Sequence, residues 1–145
     1  MNSKINHKIN FVYHNLEGDT EIESVWAAKE GDNYRIKNIP FFAPNIAYDD
    51  LVSAEYDDGQ LFFDSLIEAS GHSTVQIIFF KSEYFDQVTR DLINFKCGWE
   101  GYNSNSYISI NVPQAVNYSE VRKYLDEKLT DSILDFKEAC LAHSI

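Results

Sequence analysis

Apolar and polar positions alternate through the first half of the chain. Ile5, Ile9, Phe11 and Tyr13 share one side of an extended run, which predicts a strand after a loose end at residues 1–4. Ile22–Ala28, Tyr34–Lys37, Leu51–Tyr56 and Gln60–Ser65 predict four more strands. Glu17–Thr20 and Glu30–Asn33 separate the first of these as turns. Asp57-Asp58-Gly59 is a hairpin signal, because glycine tolerates the positive φ of a two-residue turn. Ile39–Pro44 carries two prolines, each of which pushes its predecessor to extended geometry, so a rigid loop is expected there and on to Asp50. A turn at Ala69–His72 leads into Thr74–Phe80, a β-branched and aromatic run suited to a central strand.

The period then changes. Ser82 is a good N-cap, and Phe85, Val88, Leu92 and Phe95 repeat at helical spacing, with a stop near Lys96–Gly98. Trp99–Tyr102 reads as a short strand, Asn103–Asn105 as a turn, and Tyr107–Val112 as a strand ended by Pro113. Asn117 with Glu120 resembles a capping box for a helix that turns Val121, Tyr124, Leu125 and Leu129 inward. Ile133-Leu134 reads as a short strand, and Asp135 with Glu138 as the cap of a last helical turn through Cys140 and Leu141. The expected fold class is α+β. An antiparallel β meander or partial barrel over residues 5–70 merges with a ferredoxin-like β-α-β-β-α lobe over 74–141, all within one domain of residues 1–145.

Composition sharpens this picture. A chain of 145 residues buries about 70% of its unfolded surface, so it needs no disulfide or metal staple. Ten Phe and nine Tyr favour a β-rich core. The formal net charge is -11, and residues 1–73 contribute most of it, with 13 acids against 5 bases. Such a surface repels nucleic-acid phosphate and anionic lipid and attracts basic partners. Cys97 and Cys140 are far apart and lack metal-ligand spacing, which predicts reduced thiols in a cytoplasmic protein. Met1–His7 has no apolar core, so no signal peptide is expected, and no apolar run reaches the ~18 residues of a membrane span.

Three constellations could carry chemistry. Gly71-His72-Ser73-Thr74 offers a base beside two hydroxyls. Neighbours on an extended chain point to opposite faces, so His72 shares a side with Thr74 rather than Ser73. Cys97 near Glu100 invites a thiol nucleophile, yet a thiolate needs a base, and His72 could serve only through the fold. The third is acidic: Glu17, Asp19, Glu21 and Glu23, then Asp49, Asp50, Glu55, Asp57 and Asp58 with Tyr48 and Tyr56 beside them. These acids lack a calcium-loop register and suit a docking surface for a basic protein. The chain has no Gly-rich phosphate loop, no H-E-x-x-H and no C-x-x-C, and its histidines lack zinc spacing. No cofactor or metal is expected.

The order Ser24-Val25-Trp26, Tyr34-Arg35-Ile36, Ile39-Pro40-Phe41-Phe42-Ala43, Asp57-Asp58-Gly59 and Gly71-His72-Ser73-Thr74-Val75 resembles a bacterial family called domain of unknown function 4265. Cys97 with Glu100, Ile110-Asn111-Val112-Pro113 and Leu134-Asp135-Phe136 extend the resemblance over about residues 20–141. Gln76 departs from the pattern, where Arg is expected, so an anion site shared by such an Arg and His72 is not carried over. The family name implies no activity.

The reading that follows is an acidic cytoplasmic binding protein, of the kind that neutralises a basic toxin by direct contact. Its partner-binding residues would be Tyr48, Asp49, Asp50, Glu55, Tyr56, Asp57 and Asp58. One alternative is a ligand module or enzyme centred on His72, Ser73, Thr74, Cys97 and Glu100. Another is a structural or regulatory subunit whose acids only solubilise it.

Overall fold

Five strands wrap into a closed barrel: β1 (Ile5–His14), β2 (Thr20–Glu30), β3 (Asn33–Ile36), β4 (Leu51–Asp57) and β5 (Gln60–Glu68). The computed structural model describes residues 4–102 and 104–144. Each consecutive pair is antiparallel; short turns join β1 to β2, β2 to β3 and β4 to β5 as expected, while β3 meets β4 across the long proline loop. The expected partial barrel is in fact closed by a short parallel seam, in which Ile9 and Asn10 of β1 register with Leu61 and Phe62 of β5. Closure removes an exposed edge from each of two strands. Ile9, Phe11, Val25, Ala27, Tyr34, Ile36, Val52 and Leu61 fill the barrel, and Ala43 and Ile46 plug it from the loop between β3 and β4.

The second half forms β6 (Ser73–Phe79), α1 (Phe85–Asn94), β7 (Gly98–Tyr102), β8 (Ser104–Val112), α2 (Tyr118–Thr130) and β9 (Leu134–Cys140). The sheet order β7-β8-β6-β9, antiparallel throughout, is the ferredoxin-like arrangement. Both helices cover one sheet face. Phe85, Val88 and Leu92 of α1 and Tyr118, Val121 and Leu125 of α2 meet Val75, Ile77, Ile108 and Ile110 of the sheet there. Both helices end with a residue in the left-handed region, Lys96 and Ser132. Cys97 N–H reaches back to the Leu92 carbonyl and Ile133 N–H to that of Lys128, which closes a Schellman motif without glycine.

Several local expectations change. Ser82 opens a single 3-10 turn, Ser82–Tyr84, and α1 starts after Tyr84 with no side-chain cap. Asn117 does cap α2, but it accepts from the Ser119 N–H. Leu129, expected inward, is exposed. The last helical turn is replaced by β9, because pairing with β6 from Thr74 to Phe79 satisfies the backbone of Leu134–Cys140 in extended form. Of the turn expected at Asn103–Asn105, Ser104 and Asn105 instead open β8, where Ser104 pairs with Tyr102. Asn103 lies outside the described residues, as does most of the expected loose end, Met1–Ser3.

The long loop between β3 and β4 joins the two halves. It crosses the open face of the ferredoxin-like sheet, where one row of side chains runs across four strands. Glu100, Ser109, Gln76 and Lys137 are in direct register from β7 through β8 and β6 to β9. Glu100 accepts the Ile39 N–H at 2.6 Å, Ser109 donates to the Pro40 carbonyl at 2.6 Å, and Gln76 donates to the Phe41 carbonyl at 2.5 Å. Glu23 of β2 takes the opposite side, accepting the N–H groups of Phe41, Phe42 and Ala43. One row further along, Thr74 donates to the Ile46 carbonyl. A segment whose prolines forbid ladder pairing is thus satisfied by side chains instead.

Candidate functional site

The seven acidic and aromatic residues singled out for partner binding divide between the two ends of β4. Glu55, Tyr56, Asp57 and Asp58 form the exposed β4–β5 hairpin, and Tyr56 is 72% exposed. Asp58 (φ 52°) and Gly59 (φ 79°) both sit in the left-handed region, the signature of a tight type I′ turn. No ion pair joins Glu55, Asp57 or Asp58 to a cation among the described residues. Tyr48, Asp49 and Asp50 lie before β4, about 20 Å away along the strand. Asp49 is paired with Lys37 at 2.6 Å, and Lys37 also lies over the Tyr48 ring. Asp50 is only 2% exposed; its carboxylate accepts the N–H groups of Ala47 and Ser70 and holds the loop. The hairpin presents free charge, whereas the preceding loop consumes its charge internally.

The second constellation is also taken apart. Ser73 does not meet His72. It is fully buried and lies 2.6 Å from Nδ1 of His143, seventy residues on. His143 Nε2 is 2.8 Å from the Pro113 carbonyl, which can only accept, so Nε2 carries the proton. Ser73 Oγ also accepts the N–H groups of Ala142 and His143, so its hydroxyl hydrogen goes to Nδ1. The result has the wiring of a serine–histidine pair, but every site on the hydroxyl is used and none faces solvent. His72 donates from Nδ1 to Asn111 at 3.1 Å and packs against Tyr48. Cys97 lies in the core beneath the helices, and burial pushes its thiol up to about 11. Glu100 faces the opposite side of the sheet and holds Asn38 and Ile39. Thr74 is buried against the joining loop.

A cleft that the sequence did not flag opens where the joining loop leaves the sheet. Its hollow of about 560 Å³ is lined by Tyr13, Phe42, Tyr102, Tyr107, Gln76 and Lys137, with Glu17 and Glu21 among the residues of its rim. Tyr13 and Phe42 stack at 5.4 Å with planes 8° apart, and Tyr102 meets Phe42 edge-on at 5.3 Å. Burial, then the bonded Glu21 carboxylate, pushes the Tyr13 phenol up to about 12. Leu16 stands fully exposed at the mouth, on a turn that Asn15 stiffens by accepting the N–H groups of Glu17 and Asp19. A larger hollow of about 720 Å³ runs along α2, but one helix supplies its whole charged lining and nothing forms a second wall. The aromatic cleft is lined from three elements, the β1–β2 turn, the joining loop and the sheet, which makes it the better candidate for a ligand site. The signal that could have found it is the pair Phe41-Phe42 in a proline-locked loop, since rings held there must pack on another element.

The family model described as domain of unknown function (DUF4265) matches residues 23–136. The chain belongs to the DUF4265 family. A crystal structure described as that of a hypothetical protein from Neisseria gonorrhoeae is similar at 31% sequence identity, over 99% of this chain and 100% of that one, with a TM-score of 0.87. No curated protein matches. The DUF4265 region opens at Glu23, the carboxylate beneath the joining loop, and spans Gln76, Glu100 and Ser109, which grip that loop from the sheet. Lys137 and His143 fall just beyond it. No helix among the described residues is long and apolar enough to cross a membrane.

Proposed function

We propose that this DUF4265 protein is a binding protein that receives a basic protein partner, in the manner of an immunity protein that neutralises a toxin. The observation that carries this reading is the β4–β5 hairpin. Glu55, Asp57 and Asp58 stand exposed without an ion pair among the described residues, around an exposed Tyr56 and on a tight turn. Free carboxylates on a stiff hairpin steer a cationic partner into contact and cost little to order. An aromatic ring among them adds contact area at low entropic cost. The groups that could have served catalysis, Ser73, His72, Cys97 and Glu100, are each engaged in holding the fold.

The test compares the wild-type chain with the triple variant Glu55→Gln, Asp57→Asn, Asp58→Asn as bait in extracts of the native host. A basic protein retained at low salt, released by ~0.5 M salt and not retained by the triple variant supports the reading. Cells producing that captured protein should then grow only when the wild-type chain is co-produced. If no specific basic protein is retained, or the triple variant retains it equally, the proposal is wrong.

A further inference from the structure

The polar row across the open sheet face has a fourth position that the joining loop does not use. Glu100, Ser109 and Gln76 bind backbone groups of Ile39, Pro40 and Phe41 in turn. Lys137 registers beside Gln76 on β9, is exposed, and makes no hydrogen bond or ion pair with another described residue. It opens into the aromatic cleft. Exposed to the cleft, the ammonium group is hydrated, and it only donates, so a ligand group that displaces its water has to accept, which an anion does best. Glu17 and Glu21 line the same cleft and oppose a bare anion, as does the net charge of -11.

A zwitterion resolves the conflict, because each of its charges meets the opposite sign and it enters with no net charge. We infer that the cleft binds a free amino acid with a large apolar or aromatic side chain. Its carboxylate sits on Lys137, its side chain lies against Phe42, Tyr13 and Tyr107, and its ammonium group points to Glu17 and Glu21. A hollow of about 560 Å³ accommodates such a molecule. Ring-on-ring contact supplies the apolar part of the affinity.

This site is independent of the acidic hairpin. β1 and β5 run parallel with Ile9 beside Leu61; the hairpin tip precedes Leu61 and the cleft residues of β1 follow Ile9, so the two lie at opposite ends of the barrel.

The experiment titrates the whole chain with L-phenylalanine, 3-phenylpropionate and 2-phenylethylamine, followed by NMR shifts of the cleft residues. Phenylalanine should saturate the shifts of Tyr13, Phe42, Tyr102 and Tyr107, and loss of either charged group should weaken binding about tenfold or more. Lys137→Gln, an exposed change that leaves the fold intact, should make phenylalanine and 2-phenylethylamine bind alike. Failure of phenylalanine to saturate, equal binding of all three compounds to wild type, or a Lys137→Gln variant that still prefers phenylalanine over 2-phenylethylamine overturns the inference.

Discussion

Gln76 and Tyr107 donate to the same oxygen, the carbonyl of Phe41, at 2.5 and 3.0 Å. One comes from β6 and the other from β8, so both lone pairs of the carbonyl are used by the sheet. Burial, then the nearby Glu23 carboxylate, pushes the Tyr107 phenol up to about 12, which keeps it a donor at neutral pH. Gln76→Leu and Tyr107→Phe should each cost about 1 kcal/mol, since one donor remains. The double variant should lose about 1 kcal/mol more than the sum, because the carbonyl then has no partner. Urea denaturation of the four proteins measures this coupling, and additive losses would show that water replaces both donors.

Glu23 is the opposite jaw of the same clamp. It accepts three consecutive N–H groups with two oxygens, Phe42 and Ala43 on Oε1 and Phe41 on Oε2. Glu23→Gln keeps one acceptor and turns an amide NH₂ toward the backbone donors. A loss of about 2 kcal/mol is expected, with faster hydrogen exchange confined to Phe41–Ala43 and its neighbours. Unchanged exchange there would mean that the loop is held from the sheet side alone.

Ser73 anchors the C-terminal segment. Ser73→Ala removes the acceptor of the Ala142 and His143 N–H groups and the donor to His143 Nδ1. The expected cost is about 2 kcal/mol, together with faster exchange of those two amides. A stable Ser73→Ala protein with an undisturbed terminus would contradict this anchoring role.

Cys97 should resist alkylation at pH 8 in the native protein and react once the chain is unfolded, because burial raises its thiol from 9.0 to about 11. The folded state holds this proton more tightly than the unfolded chain does. Its contribution, on the order of 2 kcal/mol, is therefore complete below about pH 9 and is lost as pH rises toward the folded value. Burial, then the Asp50 carboxylate, raises Cys140 in the same sense. Denaturation at pH 8 and pH 10.5 should show the decline, and Cys97→Ala should make it shallower.

Much of the fold was legible because it rests on local pattern. Alternation marked β1 to β5, the 3.6 period marked α1, and Asp57-Asp58-Gly59 marked a hairpin whose central residues both need positive φ. The C-terminal misreading has a clear origin. Asp135 and Glu138 have the spacing of a cap, but β6 offers a full antiparallel partner, and its ladder outweighs one local hydrogen bond. The candidate site was legible only in part. The acids of Tyr48–Asp58 form one run in the sequence, yet a seven-residue strand carries Glu55–Asp58 away from a loop whose charges are already satisfied.

By itself the sequence determined the class of the fold, the strand and helix order as far as α2, the Ile39–Pro44 loop and the acidic surface, since periodicity, proline geometry and charge act within a few residues. Only the tertiary structure decided what the chemical groups do. Ser73 finds His143 rather than His72, Glu100 and Gln76 grip the loop at Ile39 and Phe41, and Lys137 is left facing a cleft of four aromatic rings. Those partners lie between 35 and 70 residues apart along the chain, and strand register, which no local pattern encodes, brings them together.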